Sequence, residues 1–237
     1  MEANGNGRKR TMKNGEEKTI AQKVKTGRNA TTEGAETAAL FERSGKAAEA
    51  ARRLLERCGV VAIWEELGAT VNLVGSLRMG LTTPNRRDVD SHIYSDRVDV
   101  ADSFRAVGAL ASRPGVRRVE FANFLATEER CVQWRVWLVD PSEPEETALE
   151  WALDLIHIER NSKYDGYFED VADRIAAALT PETKRAILTI KEAAPDAEKI
   201  AGIEIYRAVL EGGVRDWAAF ADWRRTRPLD GVLEWRP

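Results

Sequence analysis

Apolar positions recur along this chain with two different periods, and the switches between them mark its parts. Residues 1–34 show neither period. They are rich in Gly, Asn, Thr and Lys and almost free of large apolar groups, too little to offset the entropy of ordering, so a disordered tail is expected. Helical spacing begins near Ala38 and is clear over residues 46–58, where Ala47, Ala50, Ala51, Leu54 and Leu55 share one face. Gly59 is the expected stop.

The period then falls to two. Val71, Leu73 and Val74 predict a short strand that ends at Gly75, followed by a polar loop and a second strand over residues 88–94. Residues 99–112 predict a helix, and residues 116–124 an ambiguous strand. Val132, Trp134, Val136 and Leu138 alternate with more polar neighbours, as do Leu149, Trp151, Leu153 and Leu155. The acidic, Pro-containing stretch at residues 140–146 between these two runs predicts a chain reversal, and hence adjacent antiparallel strands.

Beyond Asn161 the helical period returns. Tyr164, Phe168, Val171, Ile175 and Leu179 recur at steps of three and four. Thr180 and Pro181 supply an N-cap and a first helical position for a second helix toward Ala194. A third is expected over residues 197–211, closed by Gly212 and Gly213, and a fourth carries Trp217, Phe220 and Trp223. The fold class is therefore α+β: a mixed, largely antiparallel sheet domain over residues 35–160 and a helical domain over residues 161–237.

Composition changes this picture little. The 237 residues are 43% hydrophobic and 32% charged with a net charge of −3, an ordinary globular balance that excludes no partner class strongly. The charge is unevenly spread: residues 1–30 hold eight Lys or Arg against three Glu. A basic tail on an acidic body allows contact with a polyanion, although a merely solvated tail is the plainer reading. Cys58 and Cys131 lack metal-ligand spacing and read as core residues of a reducing compartment. No apolar run is long enough to span a bilayer and the N-terminus lacks a signal-peptide pattern, so a cytosolic protein with no membrane contact is expected.

The chemistry is concentrated in residues 75–94, GSLRMGLTTPNRRDVDSHIY. A strand runs into Gly75 and Ser76, which offer close backbone approach and hydrogen-bond donors to a phosphate; Arg78 and Gly80 add charge and a flexible point. Asp88 and Asp90, two apart in a strand, project from one face. Carboxylates so close repel unless a cation lies between them, and hard oxygen ligands suit Mg²⁺. Asp154 interrupts the apolar run LEWALDLIHI on the face opposite Leu153 and Leu155. It serves either as a third metal ligand or as an ion-pair partner of Arg135 across the hairpin.

In this order and spacing, with eleven residues between Ser76 and Asp88, the chain resembles the nucleotidyltransferases of the DNA polymerase β superfamily, in particular compact bacterial members. The resemblance covers residues 69–158. It implies that Asp88, Asp90 and Asp154 hold two Mg²⁺ ions, that Gly75, Ser76 and Arg78 bind the nucleotide, and that an NMP passes from an NTP, expected to be ATP, to an acceptor hydroxyl with release of pyrophosphate. The acceptor stays open: a small molecule, RNA, a protein, or a second nucleotide as in an oligonucleotide or cyclic-nucleotide synthase. Ser91 departs from the family pattern, which places an apolar residue there.

Other residues carry weaker signals. His92 shares the face of the aspartate pair, whereas His157 falls on the core side. Lys163, Lys184 and Lys191 are equal candidates for a triphosphate-binding lysine. Tyr164, Tyr167, Tyr206 and the C-terminal tryptophans, at helical spacing, read as packing residues. A haloacid-dehalogenase reading would need an apolar strand before Asp88, where Asn85, Arg86 and Arg87 stand. A metal-dependent glycosyltransferase would not explain the Gly-Ser loop. A non-catalytic nucleotide-binding module remains the rival.

Overall fold

The computed structural model describes residues 9–144, 148–195, 198–227 and 234–237, with side chains from Thr32 onward. Its contacts divide the chain into two units, residues 1–42 and 43–237. The first helix, α1 (Lys9–Cys58), contains almost all of the smaller unit's described backbone. The sequence pattern predicts no regular structure before residue 35, so the helical backbone from Lys9 differs from that expectation. Lys, Glu, Gln and Ala are good helix formers, and once a helix is nucleated each added residue propagates it at little cost.

Residues 43–237 form a five-stranded sheet flanked by helices, the expected α+β class. The strands are β1 (Thr70–Leu73), β2 (Asp88–Ser95), β3 (Val116–Asn123), β4 (Cys131–Val139) and β5 (Glu150–Glu159), in the order β1-β2-β5-β4-β3. All neighbours run antiparallel except β2 and β5, which are parallel. The expected β4–β5 pairing is present, with Trp134 opposite Leu155 and Arg135 opposite Asp154. Part of the connection between them, residues 145–147, lies outside the described residues.

Alternation sorts the sheet's two faces. Val89 and Ile93 of β2, Val132, Val136 and Leu138 of β4, and Leu153 and Leu155 of β5 are fully buried in one core. Against them pack Ala51, Leu54 and Cys58 from the end of α1, Trp64 from α2 (Val60–Glu65), and Ala106, Val107 and Leu110 from α4 (Val100–Ala111). Truncating Leu153 to Ala here would cost about 2–5 kcal/mol. Asp99 caps α4 by accepting from the N–H groups of Ala101 and Asp102 at 2.8 and 3.1 Å. The Ser91 hydroxyl points into this core face, buried and without a hydrogen-bond partner among the described residues; that cost belongs to the departure noted in the sequence.

The opposite face carries Asp88, Asp90 and His92 of β2, Ala152, Asp154 and Ile156 of β5, and Gln133 and Arg135 of β4, all lining one cleft of about 1580 Å³. Its other wall comes from α5 (Tyr167–Ala178), α7 (Gly202–Leu210) with the loop before it, and α8 (Trp217–Arg225), while α6 (Pro181–Ala193) contributes no lining residue. Thr180 and Pro181 start α6 as the sequence suggests, with the Thr180 hydroxyl accepting from Thr183 N–H. The helix expected over residues 197–211 is shorter, since α7 begins at Gly202. No helix among the described residues is long and apolar enough to cross a membrane.

Candidate active site

Gly75 and Ser76 do not lie in a polar loop. They open a short helix, α3 (Gly75–Met79), directly after β1. Gly75 adopts a φ of +60°, and a Cβ there would run into the Asp90 carboxylate. Glycine is therefore required for two reasons, the left-handed backbone and the aspartate lying against it. The N–H groups of a helix's first turn have no acceptor within the helix, and those of α3 start beside β2. Val74 N–H donates to the Asp90 carbonyl at 3.0 Å, which fixes this junction to the carboxylate strand.

Asp88 and Asp90 project together, and the parallel register sets Asp90 opposite Asp154. The next strand sets Arg135 opposite Asp154, with its Nε 3.4 Å from the Asp154 carboxylate. Asp154 thus stands between a carboxylate and a guanidinium, and the two readings of it from sequence coexist in one geometry. Burial pushes the Asp90 carboxyl well above the usual carboxylate range; repulsion from Asp88 and Asp154 adds to this, while Lys191 and Arg135 oppose it. Asp154 is raised as well, first by burial, with Arg135 opposing and Asp88 assisting. Clustered carboxylates that raise one another's pKa are a donor set short of positive charge, and their hard oxygens suit Mg²⁺. Among the described residues no three acidic, His or Cys side chains converge into a ready-made cage, so binding a cation requires their side chains to turn toward it.

Lys191 separates from the other two lysines. Its side chain is buried in α6, and Nζ donates to Ser76 Oγ and to the Leu81 carbonyl, both at 2.8 Å. Burial lowers its pKa to about 8 against the pull of Asp88 and Asp90. The Tyr206 hydroxyl of α7 sits 3.3 Å from the same Ser76 Oγ. Two helices from the C-terminal part of the chain therefore meet the Gly-Ser corner through one hydroxyl. Lys163 instead pairs at the surface with Glu128 and Glu234. The signal was present in the sequence: Lys191 falls four residues after Ile187 on the apolar stripe of its helix, where a surface lysine would not be placed.

Arg78 is located elsewhere than expected. Its guanidinium makes a two-pronged pair with Asp173 of α5, both contacts at 2.8 Å, and donates to the Leu73 carbonyl. It does not line the cleft, because on α3 it falls on the side facing α5. Arg86 and Arg87 do line it; Arg86 Nε is buried without a hydrogen-bond partner among the described residues.

His92 lines the cleft, with Nδ1 3.3 Å from the Tyr94 hydroxyl and 3.8 Å from Glu169. Tyr94 donates to Glu169 at 2.9 Å, as does Asn72 at 3.1 Å. Burial alone would raise the Glu169 carboxyl, but hydrogen bonds and charge from His92 and the bond from Tyr94 hold it below its ordinary value. His157 lies on the core face as expected, edge-on to Trp64 at 4.9 Å, with Nε2 2.9 Å from Ser95 Oγ. Tyr164 and Tyr206 are both buried, as their helical spacing predicts, and Tyr206 also borders the cleft together with Tyr167 and Trp217.

No protein-family model matches this chain, and no curated protein matches its sequence. Solved structures do align with it. The GLD-2–GLD-3 poly(A) polymerase complex is similar at 12% identity and a TM-score of 0.48, over 80% of this chain and 63% of that one. The Cid1 poly(U) polymerase is similar at 15% identity and 0.47, over 73% and 53%, and the GLD-2/RNP-8 complex at 11% identity and 0.47, over 85% and 78%. The chain spans less than two thirds of the length of the first two.

Proposed function

We propose that this protein is a Mg²⁺-dependent nucleotidyltransferase that transfers an NMP from an NTP to an acceptor hydroxyl and releases pyrophosphate. The observation that carries the reading is the row formed by Asp88, Asp90 and Asp154 on one sheet face, beside the Gly75–Ser76 helix start and inside one cleft. Asp88, Asp90 and Asp154 would hold the two Mg²⁺ ions. When bound, these supply charge neutralisation to the triphosphate and acidify the attacking hydroxyl.

The chain's own groups divide the remaining work. The first N–H groups of α3 and the Ser76 hydroxyl would hold the β- and γ-phosphates, with Lys191 adding positive charge through Ser76. Arg86 and Arg87, on the cleft wall, would screen the same anion. Asp154 would face the acceptor hydroxyl, and its carboxylate could receive that proton. The acceptor oxygen then bonds to the α-phosphorus as the bond to the β-phosphate oxygen breaks, and pyrophosphate leaves with that electron pair. ATP is the expected donor, and the reaction needs positioning and fixed charge more than covalent help.

The test is incubation of the full chain with each of the four NTPs and Mg²⁺, with and without RNA, followed by pyrophosphate assay and mass spectrometry. An acceptor gaining the mass of one NMP, with equal pyrophosphate, is the expected result. Tight NTP binding with no pyrophosphate under any condition would leave a nucleotide-binding module instead.

A further inference from the structure

β3 is an outer strand of the sheet, paired on one side only. Its backbone bonds fix which groups the free side presents. Phe124 N–H donates to the Cys131 carbonyl at 2.9 Å, and hydrogen-bonded residues alternate along an antiparallel ladder. The register from Arg118 to Asn123 is unbroken, so Arg118, Glu120 and Ala122 bond to β4. Val119 and Phe121 turn their N–H and C=O groups outward, where no described residue bonds to them.

The side chains of this edge do not guard it. Phe121 is 38% exposed and stacks at 4.8 Å on Phe104 of α4, itself 48% exposed, so an apolar strip borders the open backbone. On the other face of β3 stand Arg118 and Glu120, of opposite charge and both 59% exposed. The Arg118 guanidinium lies over the Trp137 indole, 3.6 Å from its centroid, which keeps that charge on the sheet surface. Lysine and proline, which commonly protect an edge, do not occur between Val116 and Asn123. The irregularity of the strand lies between Val116 and Arg118, before this stretch.

We propose that β3 pairs antiparallel with β3 of a second copy of this chain, about a two-fold axis at Val119, joining the two sheets into one. Charge selects the register. An axis at Arg118 or Glu120 would set that residue against its own copy, like charge on like. An axis at Phe121 would leave Arg118 and Glu120 without opposite charges across the contact. An axis at Val119 sets Arg118 opposite the partner's Glu120, and Glu120 opposite the partner's Arg118. Val119 then faces the partner's Val119, and the two exchange both of their outward backbone bonds. The ion pairs fall at the non-hydrogen-bonded positions, where facing side chains come closest. Phe121 lies diagonal to the partner's Val119, within reach of an aromatic ring. The contact between Arg118 and Glu120 within one strand, 3.8 Å long and exposed, contributes little and does not compete, since the four charges alternate in sign around the axis. Charges keep edges apart when like signs meet; here unlike signs meet.

The experiment is analytical ultracentrifugation of the full chain over a concentration series reaching about 100 μM, well above the Kd of a micromolar contact. The wild type is expected to dimerise reversibly. Arg118→Glu and Glu120→Arg each bring like charges together twice per dimer, and each is expected to weaken association by about tenfold or more. The variant carrying both changes restores opposite signs and is expected to associate within about threefold of wild type. Both positions are exposed, so the variants should melt with the wild type. Amide exchange gives a second reading: the N–H groups of Val119 and Phe121 should gain protection as the concentration rises. Four results would each overturn the proposal. They are a wild type that stays monomeric, a dimer that either single change leaves intact, a double variant as weak as the single ones, and a dimer whose Val119 amide still exchanges fast.

Discussion

Asp90 and Asp154 stand opposite each other on the only parallel strand pair of the described sheet, and Asp154 adds to the burial and the Asp88 charge that raise the cost of ionising Asp90. That relationship stores destabilisation at the site, as functional sites commonly do. Asp90→Asn should therefore stabilise the protein in EDTA by about 1 kcal/mol, a Tm rise of about 2–4 °C. Saturating Mg²⁺ should raise the wild-type Tm and raise that of the variant less, because only a ligand of the native state stabilises it. Differential scanning fluorimetry with and without Mg²⁺ measures both. An Asp90→Asn protein that melts earlier than wild type in EDTA would contradict the electrostatic account.

Asp154→Asn removes the charge while keeping size and hydrogen-bonding shape. It should fold, bind Mg-NTP within about tenfold of wild type and lose about a hundredfold or more in single-turnover rate, the scale of a lost proton acceptor and metal ligand. Arg135 is half exposed, so breaking its pair with Asp154 should cost no more than about 1 kcal/mol. A variant that melts early but keeps its turnover would move Asp154 out of the reaction.

Gly75→Ala tests the glycine beside Asp90. An L-residue at that φ costs about 1–2 kcal/mol, and the new methyl group must displace the Asp90 carboxylate. The expected result is a lower Tm together with weaker Mg-NTP binding by calorimetry. A protein that loses stability alone would show that the contact with Asp90 is of no consequence for the nucleotide.

Burial pushes the His157 imidazole down from 6.5 to about 4. Below pH 6.5 the unfolded chain takes up a proton that the folded state refuses, so stability falls as pH drops from 6.5 to 4, by an amount on the order of 3 kcal/mol, and then levels off. Asp90 and Asp154 contribute with the opposite sign, since their raised values favour the folded state on acidification. The measurement is therefore a difference, urea unfolding of wild type and His157→Gln across that range. Parallel curves would remove His157 as the source.

Strands whose two faces meet unlike surroundings were legible in the sequence. β2, β4 and β5 alternate because one face meets the core and the other the cleft, and the β4–β5 pairing followed from their short connection. The parallel β2–β5 register was not legible, because nothing local encodes which strand enters between two others. Asp154 was therefore recognisable as a candidate, while its position opposite Asp90 was not. Arg78 was assigned to the nucleotide from its nearness in sequence to Gly75, but helical winding of α3 carries it to Asp173. Lys191 carries a signal in its place on the apolar stripe of α6, and its burial and bond to Ser76 agree with that signal. Arg118 and Trp137 each look like ordinary strand positions, and only cross-strand pairing stacks them.

The parallel pairing of β2 with β5 also sets an order of assembly during synthesis. Asp88 and Asp90 are synthesised before β3 and β4, and β5 follows only after both, a delay on the order of several seconds at ordinary elongation rates. Throughout that interval the edge of β2 that will receive β5 is open, with the apolar Val89 between the two aspartates and Ile93 just beyond them. Charged side chains on an open edge discourage pairing with other chains. The aspartates assigned here to catalysis would thus also keep the nascent chain from sticking to its neighbours, and replacing both with Asn should lower soluble yield even where it raises the melting temperature of the protein that does fold.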